Sequence, residues 1–250
     1  IEDIKSKITE RTKGIVVINP NNPTGAVYPR SVLKQIVDVA REHGLVVFAD
    51  EIYEKITYDG AEAINMATLT GDDVLCLTFS GLSKAYRVCG YRAGWVAITG
   101  PKKDAASYLE GIHLLASMRL CSNVPAQHAI QTALGGYQSI NELIVPGGRL
   151  YEQRTLAHKM LNEIDGISCT SADGALYLFP KIDIERFDIT DDEQFALDLL
   201  KSQKILFSHG RAFNWKDPDH FRLVFLPDTQ TLTSALERLG NFMADYKQKH

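Results

Sequence analysis

Lys84 stands in the run Ser80-Gly-Leu-Ser-Lys84-Ala-Tyr-Arg87-Val-Cys-Gly90-Tyr-Arg92-Ala-Gly94, directly behind the apolar stretch Val74-Leu-Cys-Leu-Thr-Phe79. That stretch reads as a buried strand, which puts the lysine at a strand's C-terminal mouth, where open α/β sheets bind their ligands. A free lysine amine titrates near about 10.4, so losing its proton at pH 7 costs roughly 4–5 kcal/mol. Chemistry that needs a neutral amine must remove that cost, and an imine with a carbonyl cofactor removes it. The plain alternative is an exposed lysine at a helix start. Arg92, with Gly90 and Gly94 allowing tight backbone approach, tips the balance toward chemistry.

Two other segments carry chemistry-bearing residues: Asn19-Pro-Asn-Asn22-Pro23-Thr-Gly25 and Ala49-Asp50-Glu51-Ile52-Tyr53. Together with the lysine run, in this order and at these approximate separations, they resemble the class I and II aminotransferases, pyridoxal-phosphate enzymes of fold type I. Arg87 departs from the pattern, standing where the family usually has a small or aliphatic residue. The resemblance implies pyridoxal 5'-phosphate as cofactor, held as an imine on Lys84. It implies that Asp50 faces the protonated pyridine nitrogen, making the ring an electron sink, and that Tyr53 and Asn22 donate to the phenolic oxygen. It gives the phosphate to Arg92 and Ser83, with Ser80 as a further hydroxyl, and the substrate α-carboxylate to Arg222. Read alone, these residues have plainer roles. Asp50 is a turn or helix-capping aspartate, Tyr53 a core aromatic and Asn22 part of a turn. Arg92 is a surface ion pair, and Arg222 an arginine on the solvated face of a strand. Arg119 lies near the place where dicarboxylate-specific relatives reach the substrate side chain, one residue out of register, and reads equally as a surface arginine.

Within the family, Asn123-Val-Pro-Ala-Gln-His-Ala, Pro146-Gly-Gly-Arg-Leu, Gly174-Ala-Leu-Tyr-Leu-Phe-Pro180 and Phe213-Asn-Trp are most similar to the bacterial alanine (glutamate–pyruvate) aminotransferases. The implied activity moves an amino group between alanine or glutamate and a 2-oxo acid, in a homodimer. After the incoming amino acid displaces it, Lys84 moves a proton from the substrate α-carbon. The rival readings are another fold type I enzyme, such as a carbon–sulfur lyase or an aromatic aminotransferase, and an inactive piece or effector domain of a cofactor-sensing regulator. The last would need a DNA-binding segment, and no basic helix-turn-helix pattern is visible.

The elements that must position these residues follow from periodicity. Gly14–Asn19 is an apolar run read as a buried strand. Pro29–His43 has helical spacing (Val32, Leu33, Ile36, Val37, Ala40) closed by Gly44, and Leu45–Phe48 is the next strand, a βαβ unit with parallel strands. Strands are expected at 74–79 and 95–98, helices at 104–119, at 125–140 (with Pro125 at the start) and at 148–165. Beyond, the pattern turns α+β, with strands at 167–170, 174–179, 205–207 and 221–225 and helices at 191–203 and 229–247. The expected architecture is thus α/β, the C-terminal part of a fold type I transferase. Residues 1–145 form the remainder of a large cofactor-binding domain with a mostly parallel sheet, 146–165 a linking helix, and 166–250 a smaller α+β domain.

Composition limits the partners. The 250 residues are 45% hydrophobic and 23% charged, with net charge -4, which gives no reason to expect nucleic acid or an anionic membrane as partner. Cys76, Cys89, Cys121 and Cys169 show no CxxC spacing and read as reduced thiols of a cytoplasmic protein. No apolar run reaches the length of a membrane span, and His43, His113, His128, His158, His209 and His220 make no ligand-spaced pair, so no metal is expected. Ile1 is not an initiator methionine, and family members carry a long portion ahead of this point. The chain is therefore expected to be the C-terminal part of a longer enzyme.

Overall fold

In the computed structural model, which describes residues 1–249, the apolar run after Lys13 forms β1 (Gly14–Ile18), preceded by the short helix α1 (Glu2–Ser6). Helix α2 (Arg30–Glu42) returns the chain so that β2 (Val46–Asp50) pairs with β1 in parallel, Val16 opposite Phe48 and Ile18 opposite Asp50. Gly44, with φ +61°, takes the left-handed turn just after α2 that other residues adopt at a cost. β3 (Cys76–Gly81) adds in parallel to β2, and β4 (Gly94–Thr99) runs antiparallel along β3. The sheet order is β1-β2-β3-β4, so three of the four strands are parallel.

Alternation along the strands decides which side is dry. Val17, Val47, Ala49 and Cys76 point to the side covered by Leu33, Ile36, Val37 and Ala40 of α2, and together they form the core of this unit. The i, i+3, i+4 spacing of the α2 residues is what lets one helix face cover them. β1 was expected to be buried throughout, but Val16, on the other side, is 68% exposed. The neighbouring strands repeat this, with Phe79 and Val96 exposed on the same side and Phe79 stacked on Phe48 at 6.5 Å. A continuous apolar run does not reveal whether both of its faces are covered. This unit, comprising Ile1–Pro20, Val27–Thr57 and Glu62–Ile140, ends in two helices, α3 (Ala106–Arg119) and α4 (Val124–Gly135). Pro125 lies in the first turn of α4, and Asn123 caps it by accepting from the Ala126 N–H at 3.4 Å. α4 stops at Gly135 rather than continuing to 140. Residues 139–142 form a separate 3₁₀ turn.

The second unit comprises Asn21–Ala26, Tyr58–Ala61 and the chain from Asn141 onward. It holds helices α5 (Arg149–Asn162), α6 (Asp192–Gln203) and α7 (Thr229–Asp245). α7 buries Leu232, Leu236, Leu239 and Met243 in a helical stripe, packs on α5, and starts where the Asp228 carboxylate accepts from the Thr231 N–H at 2.9 Å. The strands are short. β5 (Ile167–Ser168) pairs with β7 (Lys181–Ile182), while β6 (Tyr177–Leu178) and β8 (Ser208–His209) flank β9 (Phe221–Val224), all antiparallel. The expected strand at 205–207 begins at Ser208 instead. Phe207 turns into the core, stacking on Phe221 at 4.1 Å and lying beside Phe195 of α6. Side-chain burial, more than ladder length, holds this unit together.

Candidate active site

In the first unit, Lys84 follows β3 by three residues and is half-buried, its Nζ 5.9 Å from the centre of the Tyr53 ring. Tyr53 is 3% exposed, so the core-aromatic reading of this residue is also true of it. Asp50 closes β2 next to Phe79 of β3, with its Oδ1 accepting the Ile52 N–H at 3.2 Å, as a turn aspartate does. The same carboxylate lines a cavity of about 390 Å³ at the strand ends, with Val16, Phe48, Ile52, Phe79 and Ser80. Glu51, beside it, is buried. Its carboxylate accepts from Asn65 Nδ2 at 2.6 Å and from the Met66 N–H at 2.7 Å. Burial pushes the Glu51 carboxyl above its ordinary range, and those two hydrogen bonds oppose the shift. The Asp50–Tyr53 turn is thereby tied to the segment that follows it.

Arg92 sits in the left-handed region at φ 51°, exposed, with Nη1 donating to the Cys89 carbonyl at 2.6 Å. Of its two glycines, only Gly94 meets the expectation of close approach. A Cβ there would lie 2.7 Å from the Ser80 carbonyl oxygen, whereas Gly90 faces open space. Arg87 also has positive φ, its Nη2 donating to Ser139 Oγ at 2.5 Å. Ser83 is half-buried in the turn before the lysine, and Arg119 is exposed at the end of α3.

In the second unit the structure joins Asn22 and Arg222 across 200 residues. Arg222 Nη1 donates to Asn22 Oδ1 at 2.8 Å, and Nη2 lies 3.3 Å from Ser208 Oγ. The Asn22–Pro23 bond is cis. The guanidinium lies 4.6 Å from the Tyr177 ring and 4.8 Å from the Phe213 ring. Arg222 is therefore half-buried rather than a solvated strand arginine. No signal in the sequence assigns a role to Ile52, Ser208, Tyr177 or Phe213. The run Gly174–Pro180 and the triplet Phe213-Asn-Trp stand out only by family likeness, and no local period says which aromatics meet an arginine on another strand. Among the described residues, no group of three His, Cys, Asp or Glu side chains could hold a metal ion, and no helix is long and apolar enough to cross a membrane.

The model of the family Aminotransferase class I and II matches residues 1–239, and the chain belongs to that family, with its α/β, mostly parallel fold type I architecture. Among curated relatives it is 64% identical over 248 residues to the alanine aminotransferase of Mycobacterium tuberculosis H37Rv, covering 99% of this chain and 58% of that protein. It is 58% identical to the glutamate-pyruvate aminotransferase AlaA of Escherichia coli K12, over 99% of this chain and 61% of the relative. Among solved structures, an aminotransferase from Escherichia coli superposes with a TM-score of 0.97 at 58% identity, covering 99% of this chain and 61% of that one. An alanine aminotransferase from Pyrococcus furiosus gives 0.91 at 42%, over 98% and 61%. The chain thus spans 58–61% of the length of these relatives.

Proposed function

We propose that the full-length protein carrying this chain is a pyridoxal-phosphate-dependent aminotransferase that exchanges an amino group between alanine or glutamate and a 2-oxo acid, working as a cytoplasmic homodimer. The observation that carries this reading is the Arg222 guanidinium, half-buried, tied to Asn22 and lying over two aromatic rings. A fixed planar cation is what an α-carboxylate common to every amino acid and 2-oxo acid requires. The names of the relatives, alanine aminotransferase and glutamate-pyruvate aminotransferase, support alanine and glutamate as the substrate class.

The residues of the first unit suit the cofactor. A cavity with apolar walls and one carboxylate, Asp50, accepts a flat ring whose nitrogen carries a proton. When bound, pyridoxal phosphate supplies an aldehyde for the amine and a ring that draws electrons from the substrate α-carbon. Asp50 keeps the ring nitrogen protonated. Lys84 Nζ holds the cofactor covalently at rest and, once freed, takes the proton from the substrate α-carbon. Tyr53 donates to the cofactor's phenolic oxygen. Arg92, with Ser83, takes the phosphate.

The test is product analysis on the purified full-length protein. Alanine with 2-oxoglutarate should give pyruvate and glutamate in equal amounts. Release of ammonia and a thiol from cystathionine, with no exchange between alanine and 2-oxoglutarate, would replace this reading by a carbon–sulfur lyase.

A further inference from the structure

The geometry points to Tyr177 and Phe213 as positioning residues that clamp Arg222 edge-on, so that the site takes a planar carboxylate in preference to a tetrahedral oxyanion. This rests on the proposed role of Arg222. Little else holds the guanidinium. Of its hydrogen bonds, that to Asn22 Oδ1 is good at 2.8 Å, and that to Ser208 Oγ is long at 3.3 Å. Nε is buried and has no partner among the described residues. Two bonds at the tip leave rotation about the side chain's outer torsions weakly fixed. The rings supply the missing restraint, with the guanidinium carbon 4.6 Å from the Tyr177 ring and 4.8 Å from the Phe213 ring. Both distances are inside the range of cation–π attraction, which strengthens where water is excluded. Tyr177 itself is buried.

The clamp has supports of its own. Phe213 packs edge-on against Phe179 at 6.3 Å, and Phe179 stacks on His220 at 4.8 Å. His220 Nδ1 is 2.6 Å from Asp219 Oδ1, which also accepts from Trp215 Nε1 at 2.9 Å. Phe213 is thus packed into a cluster of rings that is itself anchored by Asp219. Rings stationed over the guanidinium leave its N–H edge as the route of approach. A carboxylate can lie in that plane with both oxygens engaged. A phosphonate has three oxygens and must push at least one out of the plane, toward a ring.

The test uses the full-length holoenzyme with Phe213 replaced by mono-, di- and trifluorophenylalanine, which keep the ring's shape while weakening its negative face. KM for alanine and for 2-oxoglutarate should rise together, stepwise, to about tenfold. The absorbance of bound cofactor should stay unchanged. Tyr177→Phe should keep near-normal KM and Tyr177→Leu should not. Alanine should bind more tightly than 1-aminoethylphosphonate, and Phe213→Leu should narrow that preference. A flat KM across the fluorinated series, or equal effects of Tyr177→Phe and Tyr177→Leu, overturns the clamp. Arg222→Ala separates the two ideas. If it leaves KM unchanged, the carboxylate role of Arg222 has failed. If it raises KM while the fluorinated series stays flat, the clamp alone has failed.

Discussion

Lys84 and Arg222 make different demands on their surroundings. The lysine must be able to lose its charge, and it sits half-buried at a strand mouth with its Nζ over an aromatic ring. The arginine must keep its charge and its plane, and it is held by an amide and two rings. Borohydride treatment of the full-length protein loaded with pyridoxal phosphate, followed by peptide mapping, should place the adduct on Lys84. An adduct on another lysine sinks that assignment. Arg222→Ala should lower kcat/KM by an amount equivalent to about 2–5 kcal/mol while cofactor absorbance persists. An unchanged kcat/KM would refute the carboxylate role. Lys84, Arg92, Asn22, Asp50 and Tyr53 were legible as candidates because they stand in three short motifs in a fixed order, whereas Arg222, on an ordinary alternating strand, entered only through the family resemblance. Their supports were not legible. Glu51, Ser208, Tyr177 and Phe213 have ordinary types at ordinary positions, and only the folded chain shows that Phe213, nine residues away along the chain and on a separate turn, covers Arg222.

At the level of elements, the segment that carries Ser208 and Phe213 has almost no ladder of its own, since β8 is two residues long. It is held instead from α6. Arg211 donates through its backbone N–H to Asp192 Oδ2 at 2.8 Å and through Nε to Oδ1 at 2.5 Å, and its Nη2 donates to Asp191 Oδ1 at 2.6 Å. Asp192 is 1% exposed. Burial alone would raise its carboxyl, but the Arg211 N–H and guanidinium outweigh that and hold it below the usual carboxylate range. A carboxyl depressed in the folded state contributes stability above its unfolded value, about 3.9, and loses it as pH falls through the folded value. The thermal midpoint should therefore be insensitive to this pair from pH 7 to about 5 and should drop below about pH 4. Asp192→Asn should flatten that acid limb, and a limb that stays equally steep would rule the pair out as its source. Arg211→Ala should cost about 2 kcal/mol at pH 7, measured by denaturant unfolding, because it leaves a buried carboxylate with weaker partners. Periodicity located α2, α5, α6 and α7 to within a few residues because each carries an apolar stripe. It misplaced the strand near 205–207 because pairing in this unit depends on distant partners, here Ser208 with Arg222 and His209 with Phe221.

Across the whole molecule, apolar surface is distributed unevenly. α5, α6 and α7 each bury a face, whereas α3 buries no residue at all, and its Leu115 and Met118 are 68% and 77% exposed. Tyr137 lies 79% exposed just beyond α4, and in the same unit Val16, Phe79 and Val96 are exposed on one side of the sheet, with half-buried Phe48 of β2 between the first two. Exposed apolar residues gathered on one face mark places of association. The sequence alone did not reveal this. The α3 segment reads as an ordinary helix, and whether its apolar residues are covered depends on chain that periodicity does not see. Residues 1–250 expressed alone should therefore self-associate through the first unit. In size-exclusion chromatography with light scattering, the mass should rise above that of one chain as concentration increases, and a dye that binds exposed apolar surface should brighten. Leu115→Lys together with Met118→Lys should shift the distribution toward single chains, because two cations on an already exposed face cost the fold little but oppose burial against another copy. A chain that is monodisperse at one copy without these changes, and dark to the dye, would mean that the open faces of α3 and the sheet are closed in solution.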